Sequence, residues 1–314
     1  MFDLEDGVGP DSKQMARDNL QHFFNQENMK MGQQKYFRIV RVNRMDTPWF
    51  GDDVAAVLKM AGNKEDLLVN GVALPKIERW EDVDFVSKHF QSVWEDISSN
   101  APHSSISTTS DTTIHDTNAT AMPPTIAPIP FWAMMETPHA ILSASSIASH
   151  PSVQGLILGT NDLSKELQLR PHSNSATRGG LSTSIQTTIL AARAYNKLVI
   201  DGVYNHFRDE EGFRQECTQG KEWGMDGKTL IHPNQISVTN QVFAPSEDEI
   251  EYARRVVDCW NQAKEISSSS SSSSSNGRFT GVAVLDGALI EELHVDSSRK
   301  LLERAERIIM IEKE

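Results

Sequence analysis

Two stretches decide the fold: Pro130-Phe131-Trp132-Ala133-Met134-Met135-Glu136 and Gly155-Leu156-Ile157-Leu158-Gly159-Thr160-Asn161-Asp162. Each is a continuous apolar run that closes on a carboxylate, as expected of a strand buried on both faces with a polar C-terminal end. The pattern repeats outward from this pair. Phe37-Arg38-Ile39-Val40-Arg41-Val42-Asn43 and Gly71-Val72-Ala73-Leu74-Pro75-Lys76 precede it; Leu198-Val199-Ile200-Asp201-Gly202 and Thr229-Leu230-Ile231-His232-Pro233 follow it. Phe2-Asp3-Leu4 reads as the end of a further strand running into the acidic pair Glu5-Asp6. Between the runs lie helical patterns over 12–24, 52–60, 80–97 and 247–263, with Asp11 and Ser12 available to cap the first. Ser246 and Glu249 have capping-box spacing at the start of the last. Strand–helix alternation predicts a parallel sheet. Six full strands and the stub at 2–4 make seven, so the expected α/β fold is a (β/α)8 TIM barrel lacking its first strand–helix unit. A doubly wound open sheet is the competing architecture, but no Gly-rich nucleotide turn follows an early strand, and the barrel is favoured.

The rest of the chain sets bounds on this reading. Of 314 residues, 30 are Lys or Arg and 43 Asp or Glu, giving a formal charge of −13. So acidic a chain lacks the clustered cations of a general nucleic-acid binder. No apolar run reaches the roughly 18–20 residues that span a bilayer. Cys217 and Cys259 are the only cysteines, too few for a disulfide scaffold, which fits a soluble intracellular protein of the cytoplasm or mitochondrial matrix with no targeting segment in view. Residues 98–125 are rich in Ser, Thr, Asn, Pro and Ala and are expected to be a disordered insertion within a barrel domain of residues 1–266. A serine-rich linker over 267–276 then leads to a small C-terminal lid segment, 277–314, with a strand and turn over 281–287 and a helix over 297–311.

In a barrel the strand C-termini face the active site. That rule collects Asp3, Glu5, Asp6, Arg41, Asn43, Lys76, Glu136, Asp162, Asp201 and His232. Glu136 and Asp162 close consecutive strands, which brings two hard oxygen ligands within reach of one ion, the donor set Mg²⁺ prefers. No Cys or His pair has structural-zinc spacing. Either acid alone reads more readily as a helix cap, and Thr137-Pro138 resembles a helix start; the two together, with Arg41 beside them, read as a site. His232 is expected to shape the mouth rather than act as a base. Asp201-Gly202 and Asp226-Gly227-Lys228 are expected to form loops, and Trp49 and Trp132 to pack.

Asp3-Leu4-Glu5-Asp6, Arg41-Val42-Asn43, Leu74-Pro75-Lys76, Glu136-Thr137-Pro138, Gly159-Thr160-Asn161-Asp162-Leu163 and Ile231-His232-Pro233 stand in an order and spacing that resembles the citrate lyase β-subunit-like acyl-CoA lyases of the HpcH/HpaI aldolase superfamily. The resemblance covers about residues 1–265 apart from the Ser/Thr-rich insertion, and continues more weakly over 281–296. It implies a Mg²⁺-dependent carbon–carbon lyase that cleaves a 3-hydroxyacyl-CoA, such as malyl-CoA or β-methylmalyl-CoA, into a glyoxylate-like 2-oxo acid and an acyl-CoA. By motif, Glu136 and Asp162 hold Mg²⁺, and Arg41 binds the 2-oxo acid and stabilises the thioester enolate. Asp3, Glu5 and Asp6 support the metal waters and the cofactor edge. CoA is anionic and must meet local cations, for which Lys13, Arg17 and Lys76 are candidates. Homotrimers or homohexamers are implied, with the C-terminal segment capping a neighbour's site. In that segment Glu291 stands where the lyases often carry an acid/base Asp, with Asp286 and His294 as nearby alternatives. A related malyl-CoA thioesterase uses the same metal site, so Glu291 leaves hydrolysis open beside lyase chemistry. A non-catalytic truncated relative is the reading from another class.

Overall fold

The computed structural model describes residues 1–27, 36–60, 68–99, 129–170, 178–269 and 281–313. Most of the expected insertion (100–125) and most of the serine-rich linker (270–276) lie outside them.

The chain divides into two compact units, Met1–Gln235 and Ile236–Glu314. The first is built on a parallel sheet of seven strands: β1 (Phe2–Asp3), β2 (Ile39–Arg41), β3 (Gly71–Leu74), β4 (Phe131–Met135), β5 (Val153–Leu158), β6 (Leu198–Asp201) and β7 (Gly227–Lys228). Spatial order follows sequence order throughout, as in a TIM-barrel-like fold. The helices between strands are α1 (Lys13–Glu27), α2 (Phe50–Met60), α3 (Trp80–Ser99), α4 (Pro138–Leu142), α5 (Ala144–Ser149), α6 (Thr160–Glu166), α7 (Ser182–Ala194) and α8 (Glu210–Trp223). All five residues of β4 and five of the six in β5 are buried. Both faces of these strands are therefore covered, and that is why their sequence does not alternate.

The sheet curls because one of its faces converges. Ala73, Trp132, Met134 and Ile157 pack as a cluster with Ile39 and Ile200, drawing together side chains from β2 through β6. Volume is matched across this interior. A Cβ on Gly71 would lie 2.9 Å from Trp132 Nε1, and one on Gly155 would lie 2.5 Å from Trp132 Cζ3. Two strands thus give up side chains so that a third can place an indole between them. Phe37 meets the same ring edge-on at 6.2 Å.

One predicted strand is displaced. The apolar appearance of 229–233 suggested a strand there, but the seventh ladder pairs Ile200 with Gly227 and Asp201 with Lys228. Thr229 closes it, donating its N–H to Asp201 O at 2.9 Å. Beyond it, the side chain of Gln235 accepts the Ile231 N–H at 3.0 Å, and the segment turns into α9 (Gln235–Phe243).

In the second unit α10 (Glu247–Ser269) and α11 (Glu292–Lys313) flank a hairpin of β8 (Val282–Leu285) and β9 (Ala288–Glu291). Asp286 and Gly287 both have positive φ, 51° and 81°, the conformation that two-residue hairpin turns require. Val256, Trp260, Ala283, Ile290 and Val295 form the core. The expected capping box is present: Ser246 N–H donates to Glu249 Oε2 at 2.7 Å, and Glu249 N–H to Ser246 Oγ at 3.1 Å. The last helix begins at Glu292, earlier than the pattern over 297–311 suggested. No described helix is long and apolar enough to cross a membrane.

Candidate active site

The C-terminal ends of β1 to β5 carry one charged group. Arg41 lies at its centre, donating Nε to Asp3 Oδ1 at 2.7 Å and Nη2 to Asp3 Oδ2 at 2.6 Å, a bidentate fork. Its Nη1 is 2.9 Å from Glu5 Oε2 and 3.8 Å from Asp6 Oδ2. The Asp3 carboxylate also accepts the N–H groups of Glu5 and Gly7, each at 2.9 Å. Burial disfavours charge on Asp3, but the Arg41 hydrogen bond and these backbone donors outweigh it and hold the carboxyl below its usual range. Burial also opposes charge on Arg41, but the Asp3 hydrogen bond and the surrounding carboxylates raise its pKa and keep it protonated.

The second half of the group sits on β3, β4 and β5. Glu136 follows β4 and is 2 % exposed; its Oε2 accepts the Lys76 N–H at 2.8 Å. The Lys76 ammonium lies 3.4 Å from Asp162 Oδ1. Lys76 adopts φ of +50°, a left-handed conformation that a non-glycine residue seldom takes. Gly159 precedes α6, and a Cβ there would fall 2.4 Å from Glu136 Cγ, so the glycine is what lets the carboxyl enter. Thr137, not Glu136, caps the next helix, accepting the Ala140 N–H at 3.1 Å, with Pro138 starting α4. The helix-cap reading of Glu136 is therefore replaced by its neighbour. A cavity of about 550 Å³ opens here, with Glu136, Asp162, Lys76, Arg44, Arg79 and His139 among its lining.

The electrostatics of this mouth are unbalanced. Two cations, Arg41 and Lys76, face five carboxylates: Asp3, Glu5, Asp6, Glu136 and Asp162. Burial, together with Asp6, Glu136 and Asp3 acting against the help of Arg41, pushes the Glu5 carboxyl up to about 7. Burial and the nearby Asp162 raise Glu136 as well. Glu5 Oε2 is buried and, despite its closeness to Arg41, makes no hydrogen bond of acceptable geometry. An excess of negative charge and an all-oxygen donor set are what a hard divalent cation would resolve. Mg²⁺ therefore fits the residues present, with Glu136 and Asp162 the side chains that would hold it. Among the described residues no three His, Cys, Asp or Glu side chains are grouped to hold a metal by themselves.

Other expected members of the mouth lie elsewhere. Lys13 is buried, and its ammonium is spent on Leu4 O, Glu5 O and Asn43 Oδ1 at 2.7–2.8 Å. Arg17 is buried against Asp53 at 2.8 Å. Both are internal braces for the β1–β2 edge, and neither is open to an anionic ligand. Asn43 belongs to the same brace, donating to Leu4 O and Asp53 Oδ2. Asp201, read as a loop former, is fully buried in an ionic network: Arg178 Nη1 donates to its two oxygens at 2.7 and 2.9 Å, and Lys228 Nζ at 2.9 Å. Lys228 also reaches Glu216 Oε1 at 2.6 Å. The loop reading of Asp201 and Lys228 is corrected: they tie β6 and β7 to α8. His232 stacks on Phe207 at 4.6 Å between ring centres. Glu291, Asp286 and His294 are in the second unit, where Arg255 holds Asp286 and the Glu291 N–H donates to His294 Nδ1 at 3.0 Å. Cys217 is buried and Cys259 partly so; neither is in a disulfide.

A parallel, barrel-like α/β sheet with a carboxylate-rich mouth at its strand C-termini has its charged group where barrel enzymes carry their sites. A family profile described as HpcH/HpaI aldolase/citrate lyase matches residues 1–233. The chain is 39 % identical over 308 residues to a (3S)-malyl-CoA thioesterase of Cereibacter sphaeroides, covering 98 % of this chain and 86 % of that protein. It is 28 % identical over 322 residues to an L-malyl-CoA/β-methylmalyl-CoA lyase of the same organism, covering 98 % and 87 %. The fold is also that of the CitE protein of Mycobacterium tuberculosis, solved in complex with magnesium, acetoacetate and coenzyme A. There the TM-score is 0.62 at 23 % identity, over 97 % of this chain and 88 % of that one. The chain belongs to the HpcH/HpaI aldolase/citrate lyase family, a family of enzymes.

Proposed function

We propose that this chain acts on a 3-hydroxyacyl-CoA of the malyl-CoA type, with Mg²⁺ held at the mouth by Glu136 and Asp162. The observation that carries the reading is the charge imbalance there, in which the two acids share one lysine and one cavity. Bound at that place, the ion serves as a Lewis acid toward a substrate oxygen. Arg41 is fixed by Asp3 and retains N–H groups that Asp3 does not use, so it can present positive charge to a carboxylate or to a developing oxyanion. Asp3, Glu5 and Asp6 set the position of Arg41 and, in this reading, support the metal's waters and the edge of the cofactor. Lys76 supplies a further cation, and Glu291 is the acid/base candidate, brought to the mouth of a neighbouring subunit in a homotrimer or homohexamer. A soluble intracellular setting accords with two cysteines that form no disulfide and with the family's CoA-ester relatives.

Hydrolysis of the thioester is the favoured reaction, supported by the 39 % identity to a malyl-CoA thioesterase over almost the whole chain. Carbon–carbon cleavage is the second reading, supported by the 28 % identity to a malyl-CoA lyase. The two differ in their products. Purified protein with malyl-CoA, assayed with and without Mg²⁺, is expected to release malate and free CoA in a metal-dependent way. Glyoxylate and acetyl-CoA would make it a lyase. Release of none of these products by a folded, Mg²⁺-binding protein is the result that overturns the substrate reading.

A further inference from the structure

Lys76 engages the Glu136–Asp162 pair twice, once through its backbone and once through its side chain. Its N–H donates to Glu136 Oε2 at 2.8 Å, and its ammonium stands 3.4 Å from Asp162 Oδ1. These contacts come from one residue held in a left-handed conformation, with φ of +50°. In this conformation its main chain meets one carboxylate while its side chain reaches the other. The same ammonium is the single positive group in an ion pair with Asp162 among the described residues. It lies in the cavity, not on the outer surface, and its side chain is 29 % exposed.

We propose that the Lys76 ammonium is a built-in place-holder for the divalent cation, pairing with Asp162 and offsetting part of the negative charge of the Glu136–Asp162 pair in the metal-free protein, and so competing with Mg²⁺ for that pair. This rests on the metal reading given above and deepens it. A competing ammonium keeps the intrinsic affinity for Mg²⁺ low, so that firm metal binding awaits the extra oxygen ligands of the substrate. The lysine then leaves the carboxylates as the metal arrives, which frees its charge for the anionic substrate.

The test is calorimetric titration of the substrate-free protein with MgCl₂, comparing wild type with Lys76→Met, Lys76→Gln and Lys76→Arg. All three replacements share the strained backbone position, so charge is the variable. Lys76→Met and Lys76→Gln are expected to bind Mg²⁺ about tenfold more tightly, since a positive charge beside the site has been removed. Lys76→Arg is expected to stay near wild type. In chelator the two neutral variants should also unfold at a lower temperature than wild type, and saturating Mg²⁺ should restore them. Equal affinities in all four proteins would overturn the place-holder while leaving the metal site intact. Equal tightening in Lys76→Arg would overturn it too, because geometry and not charge would then be responsible. No heat of binding in wild type or neutral variants at millimolar Mg²⁺ would overturn the metal reading and this inference with it.

Discussion

The same sheet carries two charged clusters at its strand ends, and they are built to opposite rules. The cluster at β6 and β7 pairs Arg178 and Lys228 with Asp201 and Glu216, two charges against two. The side chains of Asp201 and Lys228 have no exposure at all. The cluster at β1 to β5 sets two cations against five carboxylates and opens on a cavity. A polar residue at a strand C-terminus is thus not itself a mark of function. What separates the two is whether the charges cancel. A buried balanced network contributes order to the fold, whereas an unbalanced one with a route to solvent is poised to take a ligand.

The sharpest way to break this contrast is to exchange the consequences. Under the proposed function, Glu136→Gln removes a metal ligand from the unbalanced cluster and is expected to lower turnover by at least about 10³-fold. Its thermal unfolding midpoint in chelator should hold or rise, because a crowded carboxylate has been relieved. A folded variant that keeps its turnover would sink the assignment. Lys228→Met in the balanced cluster should do the reverse. It leaves Asp201 and Glu216 short of a buried partner, at a cost of about 3–5 kcal/mol, seen as a lower denaturant midpoint. Unchanged stability would mean that the second cluster is not the brace its geometry suggests.

The smallest effect is a pH slope. In the folded, metal-free protein Glu5 titrates at about 7 rather than 4.5. The folded state therefore holds a proton that the unfolded chain has lost, and stability from this group falls as pH rises through that window. Glu136, raised in the same direction, adds to the trend. Glu5→Gln in chelator should gain on wild type as pH goes from about 5 to about 7, measured by urea unfolding. A difference that shrinks over the same range would contradict the unbalanced mouth.

The mouth and the bracing network were not equally legible in the sequence. Glu136, Asp162, Arg41 and Asp3 each end a strand whose apolar run marks it, so their register at the mouth could be read directly. Asp201 ends a strand in the same way, but its partners Arg178 and Lys228 are 23 and 27 residues away and come from a loop and a neighbouring strand. Nothing local announces such a network. The displaced seventh strand has the same origin, since Gly227 and Lys228 look like a turn until Asp201 gives Lys228 a reason to lie in the ladder. Lys13 and Arg17 mislead for a related reason: a cation on a helical pattern reads as available to an anion such as CoA, whereas here carbonyls and Asp53 draw both inward.

The floor of the sheet has a consequence for how this sequence can change. Trp132 fills space that Gly71 and Gly155 leave, and its indole N–H finds no acceptor among the described residues. The ring is thus retained for its size and not for its polarity, and the three positions behave as one quantity held constant. A methyl added at either glycine must be matched by a narrower group at 132. Two changes that are each harmful should then prove tolerable together, a sign of shared volume rather than shared chemistry.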